Sequence, residues 1–294
     1  MKEDVLIRIQ SRYTGLSKGQ KLLADYITDH YDKAVYLTAS RLGAVVGVSE
    51  STVVRFAGEL GYDGYPEMQR ALEELIRTRL TALQRMEVSR IRMDEEGMLS
   101  SILHADIENI KETIEGADEA EFKTAVDTIL KAKTIYVLGV RSSAALASFL
   151  AYYMNLVFDN VKLIDTNSIS ETFEQMLKIG PADVLIGISF PRYSKRTVKA
   201  MDFAKARGAG VIAITDGEQS PIAASAECVL KAHSNMLSFV DSLVGPMSLI
   251  NALIVALSLH RQQEVKDNLE SLEHVWQEYD VYESEDQTYG KILS

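Results

Sequence analysis

The sequence predicts an α/β protein in which an all-α N-terminal domain precedes a domain built on a parallel sheet. Helical spacing of apolar residues and capping signals dominate residues 16–85, whereas short apolar runs alternate with helices after Met98. The 294 residues exceed the usual span of a single hydrophobic core, and 47% of them are apolar. Two separately packed domains are therefore expected.

The first predicted helix begins at Ser17 and lies within residues 16–31. Gln20 follows Ser17 by three residues and Leu16 precedes it, a pattern typical of a capping box with a hydrophobic staple. The apolar side chains that then recur at helical spacing are Leu22, Leu23, Tyr26 and Ile27. This helix is expected to pack into an N-terminal core.

Residues 38–62 carry the spacing of a helix-turn-helix. Its two helices are predicted at 39–46 and at about 50–60. Gly43 allows the two helices to approach each other, and Gly47 can adopt a positive φ at the turn. Ser49 can cap the second helix because its side-chain oxygen accepts a backbone N–H from the first turn.

The second helix of this pair is expected to expose a polar face. The side chains predicted to point inward are Val48, Val53, Phe56 and Leu60. Those predicted to point outward are Glu50, Ser51, Thr52, Arg55 and Glu59. Because the N-terminal end of such a helix usually reaches base edges in the major groove, we expect double-stranded operator DNA to be contacted by Ser49, Ser51, Thr52 and Arg55. The alternative is a helix-turn-helix that serves protein contacts only.

Connecting helices are predicted between the two domains. Pro66 can occupy the first turn of a charged linker helix that extends to about Arg85. Two further helical stretches are predicted at 99–114 and 120–130. These helices are expected to connect the N-terminal domain to the sheet.

Five short apolar runs predict the strands of the second domain. They lie at 135–139, 161–164, 183–189, 211–215 and 228–232. Helices are predicted between them, including those at 144–157 and 195–206. Continuous apolar strands that alternate with helices indicate a parallel sheet covered on both faces.

Two loops of the sheet carry hydroxyl and cationic side chains between a strand and a helix. The residues expected to bind a small anionic ligand are Arg141, Ser142, Ser143, Ser189, Arg192 and Ser194. A helix N-terminus supplies unpaired amide donors and the positive end of the helix dipole, so such loops favour a phosphate or carboxylate. The glycines near 208–210 precede a strand, which argues against a nucleotide-binding fingerprint, and no cofactor is expected.

The charge is distributed unevenly along the chain. Lys and Arg outnumber Asp and Glu by 14 to 12 in residues 1–92, but are outnumbered by 30 to 17 in the rest, giving a net charge of −11. This asymmetry favours a DNA-facing N-terminal part. The single Cys228 and the charged first ten residues predict a cytoplasmic protein, and the apolar segment 243–259, interrupted by Pro246, predicts a buried helix and no membrane role.

An enzymatic alternative requires a general base. The candidates are Glu171, Glu174 and His233, although the two glutamates on one helix fit a solvated face equally well. The five histidines show no metal-ligand spacing, and no Ser-His-Asp arrangement is present. We therefore expect neither catalysis nor a metal.

The motifs of both halves resemble those of the RpiR family of bacterial regulators. The N-terminal half is similar to that family in VSESTVVRFAGELGYDGYPEM, and residues 120–260 resemble a SIS (sugar isomerase) domain in LGVRSSAALA, ISFPRYSKRT and GAGVIAITD. The resemblance implies a flavodoxin-like doubly wound sheet, a phosphosugar effector, and homodimers or homotetramers. Because SIS domains also occur in sugar-phosphate isomerases, it leaves such an isomerase as the alternative function. It also places Ser143, Ser189 and Ser194 at phosphate-contacting positions.

The sequence departs from the Ser-x-Ser-Gly-x-Thr loop of many SIS domains. Pro191 and Arg192 stand where the second hydroxyl and the glycine would be, so fewer hydrogen-bond donors face a phosphate. A non-phosphorylated acid or polyol derivative is therefore the alternative class of effector. The domains expected are a helix-turn-helix DNA-binding domain at 1–80, a linker with connecting helices at 81–119, a SIS domain at 120–270, and a C-terminal helix and tail at 271–294.

Overall fold

The structure is a computed structural model that describes residues 5–79, 86, 97–235 and 240–282. Two compact units are present. One contains the described residues of Met1–Ala105 and Asn235–Asp241, and the other those of Asp106–Ser234 and Ser242–Ser294. Each unit has its own buried apolar cluster.

The first unit is helical. Its helices are α1 (Val5–Arg12), α2 (Lys18–Asp29), α3 (Tyr31–Ala34), α4 (Ala39–Val46), α5 (Glu50–Glu59) and α6 (Tyr65–Arg79), with a 3-10 turn at Tyr13–Gly15. The capping box at Ser17 is confirmed, because the Gln20 amide donates to Ser17 Oγ at 3.4 Å and the Ser17 amide to Gln20 Oε1 at 2.9 Å. The linker helix is described as far as Arg79; its predicted remainder, 80–85, lies outside the described residues.

The core of the first unit draws on one face of each longer helix. Leu23, Leu42, Phe56 and Leu72 are fully buried, and Val5 of α1 joins them at 2% exposure. Burying one such side chain contributes about 1.5–3 kcal/mol. Helix α1, which the sequence analysis did not predict, therefore belongs to the domain and is not a loose extension.

The second unit contains a five-stranded parallel sheet, as predicted. The strands are β1 (Thr134–Gly139), β2 (Val161–Leu163), β3 (Asp183–Ile188), β4 (Gly210–Thr215) and β5 (Cys228–Lys231), in the order β2-β1-β3-β4-β5. In register, Val137 pairs with Leu163 on one side and Ile186 on the other. This strand order is that of flavodoxin-like doubly wound folds.

Helices cover both faces of the sheet. The other helices are α7 (Met98–Gly116), α8 (Glu119–Lys131), α9 (Ser142–Met154), α10 (Ile169–Gln175), α11 (Lys195–Ala206), α12 (Val244–His260) and α13 (Gln262–Glu278). Helices α8, α9 and α12 pack with Val137 on one face, and α11 packs with Tyr136 on the other. Side chains of a strand alternate between the two faces of the sheet. Because helices cover both faces, the side chains on each face are buried, and the strands appear in the sequence as continuous apolar runs.

Some boundaries differ from those predicted. Helix α9 begins at Ser142 and not at residue 144, so its two serines lie inside the first turn and not ahead of it. Helix α12 is only partly buried, with Leu257 covered but Val255 and Leu259 more than half exposed. Helix α13 extends from Gln262 to Glu278. No single described helix has the length and apolarity of a membrane span; α12 and α13 meet that criterion only as a pair bent by 100°.

Cys228 lies at the start of β5 and is buried. Its thiol donates to the carbonyl oxygen of Glu121 at 3.0 Å. Burial, together with the interaction with Glu121, raises the pKa of the Cys228 thiol to about 12. The group is therefore a neutral part of the core and not a nucleophile.

Candidate functional site

The turn between α4 and α5 has the geometry that its sequence predicts. Gly47 adopts φ +79°, a left-handed conformation that favours glycine. Ser49 caps α5, with its Oγ accepting the Thr52 amide at 3.3 Å. A Cβ on Gly43 would lie 2.7 Å from the carbonyl oxygen of Val48, so the two helices meet at a distance that only glycine permits.

Helix α5 presents a polar outer face. Ser51 and Arg55 are exposed and Thr52 is half-buried, whereas Val53 and Phe56 are fully buried. Other predicted outward residues, Glu50 and Glu59, are exposed as well, and Leu60 is buried as predicted. Val48 is half-buried, because it lies in the turn before the helix begins. The hydroxyl-bearing end of α5 is therefore at the surface of its unit.

The polar groups at this end bond to one another. Ser49 Oγ lies 2.9 Å from Ser51 Oγ and 2.8 Å from Thr52 Oγ1, and Arg55 Nε donates to the Ser51 carbonyl at 3.1 Å. The Arg55 side chain is thus directed back toward the N-terminal end of α5. The four predicted residues therefore form one hydrogen-bonded cluster. A partner that binds here would replace these internal hydrogen bonds with hydrogen bonds to its own groups.

The second candidate site lies at the carboxyl edge of the sheet, where the strand order reverses: β2 lies on one side of β1, and β3 lies on the other. Open parallel sheets bind ligands at such a switch point. Ser143 and Ser189, which follow the two strands, are buried at 5% and 4% exposure. Arg141, Ser142 and Arg192 are exposed, and Ser194 is half-buried. The sheet topology therefore places all six predicted ligand residues at one edge.

The β3–α11 loop is held by its own hydroxyl groups. Ser189 Oγ accepts the Ser194 amide at 3.3 Å, and Ser194 Oγ accepts the Arg196 amide at 3.2 Å as the cap of α11. Thr197, in the first turn of α11, is fully buried, and within the described chain its hydroxyl has no hydrogen-bond partner. These hydrogen bonds preorganise the loop. Its serines therefore have a structural role in addition to the predicted role in ligand binding.

Both loops contain an arginine with a left-handed backbone. Arg141 has φ 59° and Arg192 has φ 64°, and the described residues contain only one other such non-glycine residue, Asp280. Conformations of this kind cost about 1–3 kcal/mol and cluster at functional sites. A Cβ on Gly139, at the end of β1, would lie 2.3 Å from the carbonyl oxygen of Ser143. The first turn of α9 therefore lies directly on the end of the strand.

A third loop, which was not predicted from the sequence, reaches this edge after β4. The Tyr193 hydroxyl donates to the Asp216 carboxylate at 2.9 Å to Oδ1 and 3.1 Å to Oδ2, and Thr215 Oγ1 donates to Oδ1 at 3.1 Å. These bonds connect the β3–α11 loop to the β4 loop. The available signal was a Thr-Asp pair directly after an apolar strand, the pattern that was used for the other two loops.

The residues considered as isomerase bases lie on α10 and after β5. Glu171 is exposed on α10 and accepts a hydrogen bond from Thr166. Glu174 on the same helix is also exposed. His233 follows β5, and β4 lies between β5 and β3. The Nδ1 atom of His233 lies 3.3 Å from Glu112 Oε2 on α7. In the described ranges, no group of three or more His, Cys, Asp or Glu is arranged to hold a metal ion.

An open groove of about 580 Å³ lies between α12 and α13, away from the switch point. Leu259, Val265 and Leu269 form its apolar part, and Glu270 and His274 its polar part. Its position between two helices distinguishes it from the loops at the carboxyl edge of the sheet. The ligand residues predicted from sequence are not among those that line it.

Both halves of the chain match known protein families. The helix-turn-helix domain of the rpiR family matches residues 3–79, and the SIS domain matches residues 128–256. The chain is 29% identical over 213 residues to an uncharacterized HTH-type transcriptional regulator, YfhH, of Escherichia coli K12, covering 71% of this chain and 74% of that protein.

Two solved structures share the fold. The sugar isomerase domain of an RpiR transcription factor from Sphaerobacter thermophilus is 26% identical, with a TM-score of 0.58, over 61% of this chain and 99% of that one. The Vibrio vulnificus NanR protein complexed with ManNAc-6P is 21% identical, with a TM-score of 0.56, over 92% and 97% of the two chains. The predicted α/β fold class is confirmed by these neighbours and by the sheet topology.

Proposed function

Because the chain belongs to the RpiR family, with its helix-turn-helix and SIS domains, we propose that it is a transcriptional regulator whose operator affinity is set by a small anionic sugar-like effector. The observation that carries the proposal is the exposed end of α5, where Ser51 and Arg55 face outward from a helix-turn-helix of the required geometry. No catalytic role is assigned, because the curated relatives are transcriptional regulators.

We propose that α5 enters the major groove of a duplex. Arg55 has the forked donor set that binds guanine through O6 and N7, and Ser51 and Thr52 supply hydroxyl groups that hydrogen-bond to several base edges. Ser49 sets the start of the helix and donates to the backbone or to a base. The exposed Val54, at 45%, adds an apolar contact of the kind that suits a thymine methyl group.

The effector is proposed to bind at the switch point of the sheet. The N-terminal turns of α9 and α11 supply amide donors, Ser143, Ser189 and Ser194 supply hydroxyls, and Arg141 and Arg192 supply positive charge at the rim. A phosphorylated sugar is the leading class. Since Pro191 offers no hydroxyl, a carboxylated sugar derivative is the competing outcome of a binding screen.

The regulator is proposed to act as a homodimer or homotetramer. Two helix-turn-helix units on a palindromic operator would be separated by about 34–36 Å, one turn of the duplex. Effector binding that favours one arrangement of the domains, with a coupling of about 1–3 kcal/mol, would change operator affinity about 5- to 150-fold. The proposed domain limits are 1–80 for DNA binding and 120–270 for effector binding, with 81–119 between them.

The substitution Arg55→Ala tests the DNA-binding proposal. We expect the affinity for an operator selected from genomic fragments to fall by about 1–3 kcal/mol, while non-specific binding persists, because one base contact is lost and the charge-dependent background remains. Fluorescence anisotropy with the operator and with a scrambled duplex gives both values.

Arg70→Ala is the matched control, since Arg70 is an exposed arginine on α6 whose Nε bonds to Pro66 O of its own helix. It should leave the ratio of specific to non-specific affinity unchanged. An Arg55→Ala protein with unaltered operator affinity would remove Arg55 from the contact set. A wild-type protein that prefers no genomic fragment would remove the regulator proposal.

A further inference from the structure

The carboxyl end of helix α5 is fully supplied with hydrogen-bond donors. The last carbonyls of a helix lack partners within the helix. Here the three before Glu59 accept backbone amides from Leu60 and the turn that follows. The carbonyl of Glu59 accepts from the guanidinium group of Arg12, and that of Leu60 from Arg8 Nη1 at 3.2 Å. Two side chains of α1 thus complete the end of the helix proposed to read DNA.

The turn after α5 is shaped around these two guanidinium groups. Gly61 adopts φ +84°, and a Cβ there would lie 3.5 Å from Arg12 Nη2 and 3.6 Å from Arg8 Nη1. The Arg8 guanidinium carbon also lies 4.6 Å from the centre of the Tyr62 ring, a cation–π contact. Arg8 is therefore held by a carbonyl and by an aromatic face at once.

Helix α1 is anchored so that these contacts are fixed in space. Val5 and Ile9, one turn apart, are both 2% exposed in the core of the N-terminal unit. Arg8 and Arg12 are likewise one turn apart, so α1 offers an apolar pair to the core and a basic pair to α5. Positive charge at a helix C-terminus also interacts favourably with the helix dipole.

The opposite end of α5 has a separate support. A Cβ on Gly19 of α2 would lie 3.4 Å from Val48 Cγ1 and 3.6 Å from Thr52 Cγ2. The N-terminal turn of α5 is therefore in close contact with α2. Without the two arginine contacts, the carboxyl end of α5 would be held by the packing of the buried Phe56 and Leu60, and its axis would tilt more easily.

We propose that Arg8 and Arg12 are positioning residues that fix the angle of α5, and with it the specificity of operator recognition. The inference rests on the proposed function. Base contacts depend on the direction of the donor groups, whereas non-specific binding depends on charge near the phosphates. A tilted α5 should therefore lose sequence discrimination before it loses affinity for DNA in general.

The test compares Arg8→Ala and Arg12→Ala with Arg70→Ala in the full chain. Each is titrated with the selected operator and with a scrambled duplex, well below the melting temperature. We expect the ratio of specific to non-specific affinity to fall about tenfold in the first two, as for the loss of one base contact, and to stay constant in the third. Arg8→Lys and Arg12→Lys should show a smaller fall, because a charged donor group remains although the planar fork of the guanidinium is lost. These variants provide the comparison if an alanine variant unfolds.

Two further measurements separate positioning from a direct DNA contact or from stability alone. In an Arg55→Ala background the effect of Arg12→Ala should shrink, because both act through the same helix. The salt dependence of binding should be unchanged. A slope reduced by about one, with equal weakening on every sequence, would show that Arg12 contacts a phosphate and overturn the inference. An unchanged ratio in a folded variant would overturn it as well. A wild-type protein without sequence preference would instead defeat the proposed function, and the inference with it.

Discussion

The variant Gly43→Ala is expected to lose specific DNA binding and to melt at a lower temperature than the wild type. Alanine favours a helix over glycine by about 1 kcal/mol, so helix propensity alone predicts a gain. The new Cβ would, however, lie 2.7 Å from Val48 O and 3.3 Å from the Ser49 carbonyl carbon, both backbone atoms that cannot rotate away. Overpacking of this kind costs about 1–3 kcal/mol, and the clash therefore decides the sign.

The control for this prediction is Gly58→Ala in the next helix. A Cβ at Gly58 meets nothing within 4 Å, so this change should stabilise the protein by about 0.5–1 kcal/mol. Circular dichroism melts and operator titrations of the two variants give the comparison. Effects of the same sign in both variants would mean that α4 and α5 are not in close contact at Gly43.

The helix-turn-helix could be predicted because its determinants are local. Gly43, Gly47 and Ser49 lie within seven residues, and each fulfils a requirement of the backbone next to it: close approach, a left-handed φ and a cap. The strands could be predicted for a related reason. Burial on both faces leaves a continuous apolar run, and the alternation with helices then indicates parallel pairing.

Contacts between distant segments could not be predicted in this way. Arg8 and Leu60 are 52 residues apart, and nothing in the sequence around either residue indicates the other. The same holds for Tyr193 and Asp216, whose bond depends on the adjacency of β3 and β4. Both pairs involve ordinary polar residues whose roles follow from the packing of whole elements.

The start of α9 shows a different limit. Serine is a common cap, so Ser142 and Ser143 were expected ahead of the helix. The chain instead makes its turn at Arg141, with φ 59° and ψ −126°, and α9 begins at Ser142 without a side-chain cap. Sequence preferences do not favour arginine in that conformation. The close contact of Ser143 O with Gly139 accompanies this turn at the end of β1.

The same contact makes Gly139→Ala the second substitution with a large expected effect. The added Cβ would lie 2.3 Å from Ser143 O, 2.8 Å from the Ser143 carbonyl carbon and 3.0 Å from Ala147 Cβ. Relief requires α9 to move away from β1, although Leu146 and Leu150 of that helix are fully buried. We expect a loss of about 2–4 kcal/mol of stability and displacement of the amides and hydroxyls that are proposed to hold the effector.

Thermal-shift assays with inorganic phosphate and a panel of aldose and ketose phosphates and sugar acids measure both effects. A ligand present at about 100 times its dissociation constant stabilises the wild type by about 2.7 kcal/mol, and Gly139→Ala should lose this increment in addition to its lower baseline. Gly180→Ala, where a Cβ meets nothing within 4 Å, is the control and should respond as the wild type does. If Gly139→Ala retained a full ligand-induced shift, the effector would not depend on the first turn of α9, and the anion site would have to be sought in the β3–α11 and β4 loops, which Tyr193 and Asp216 connect.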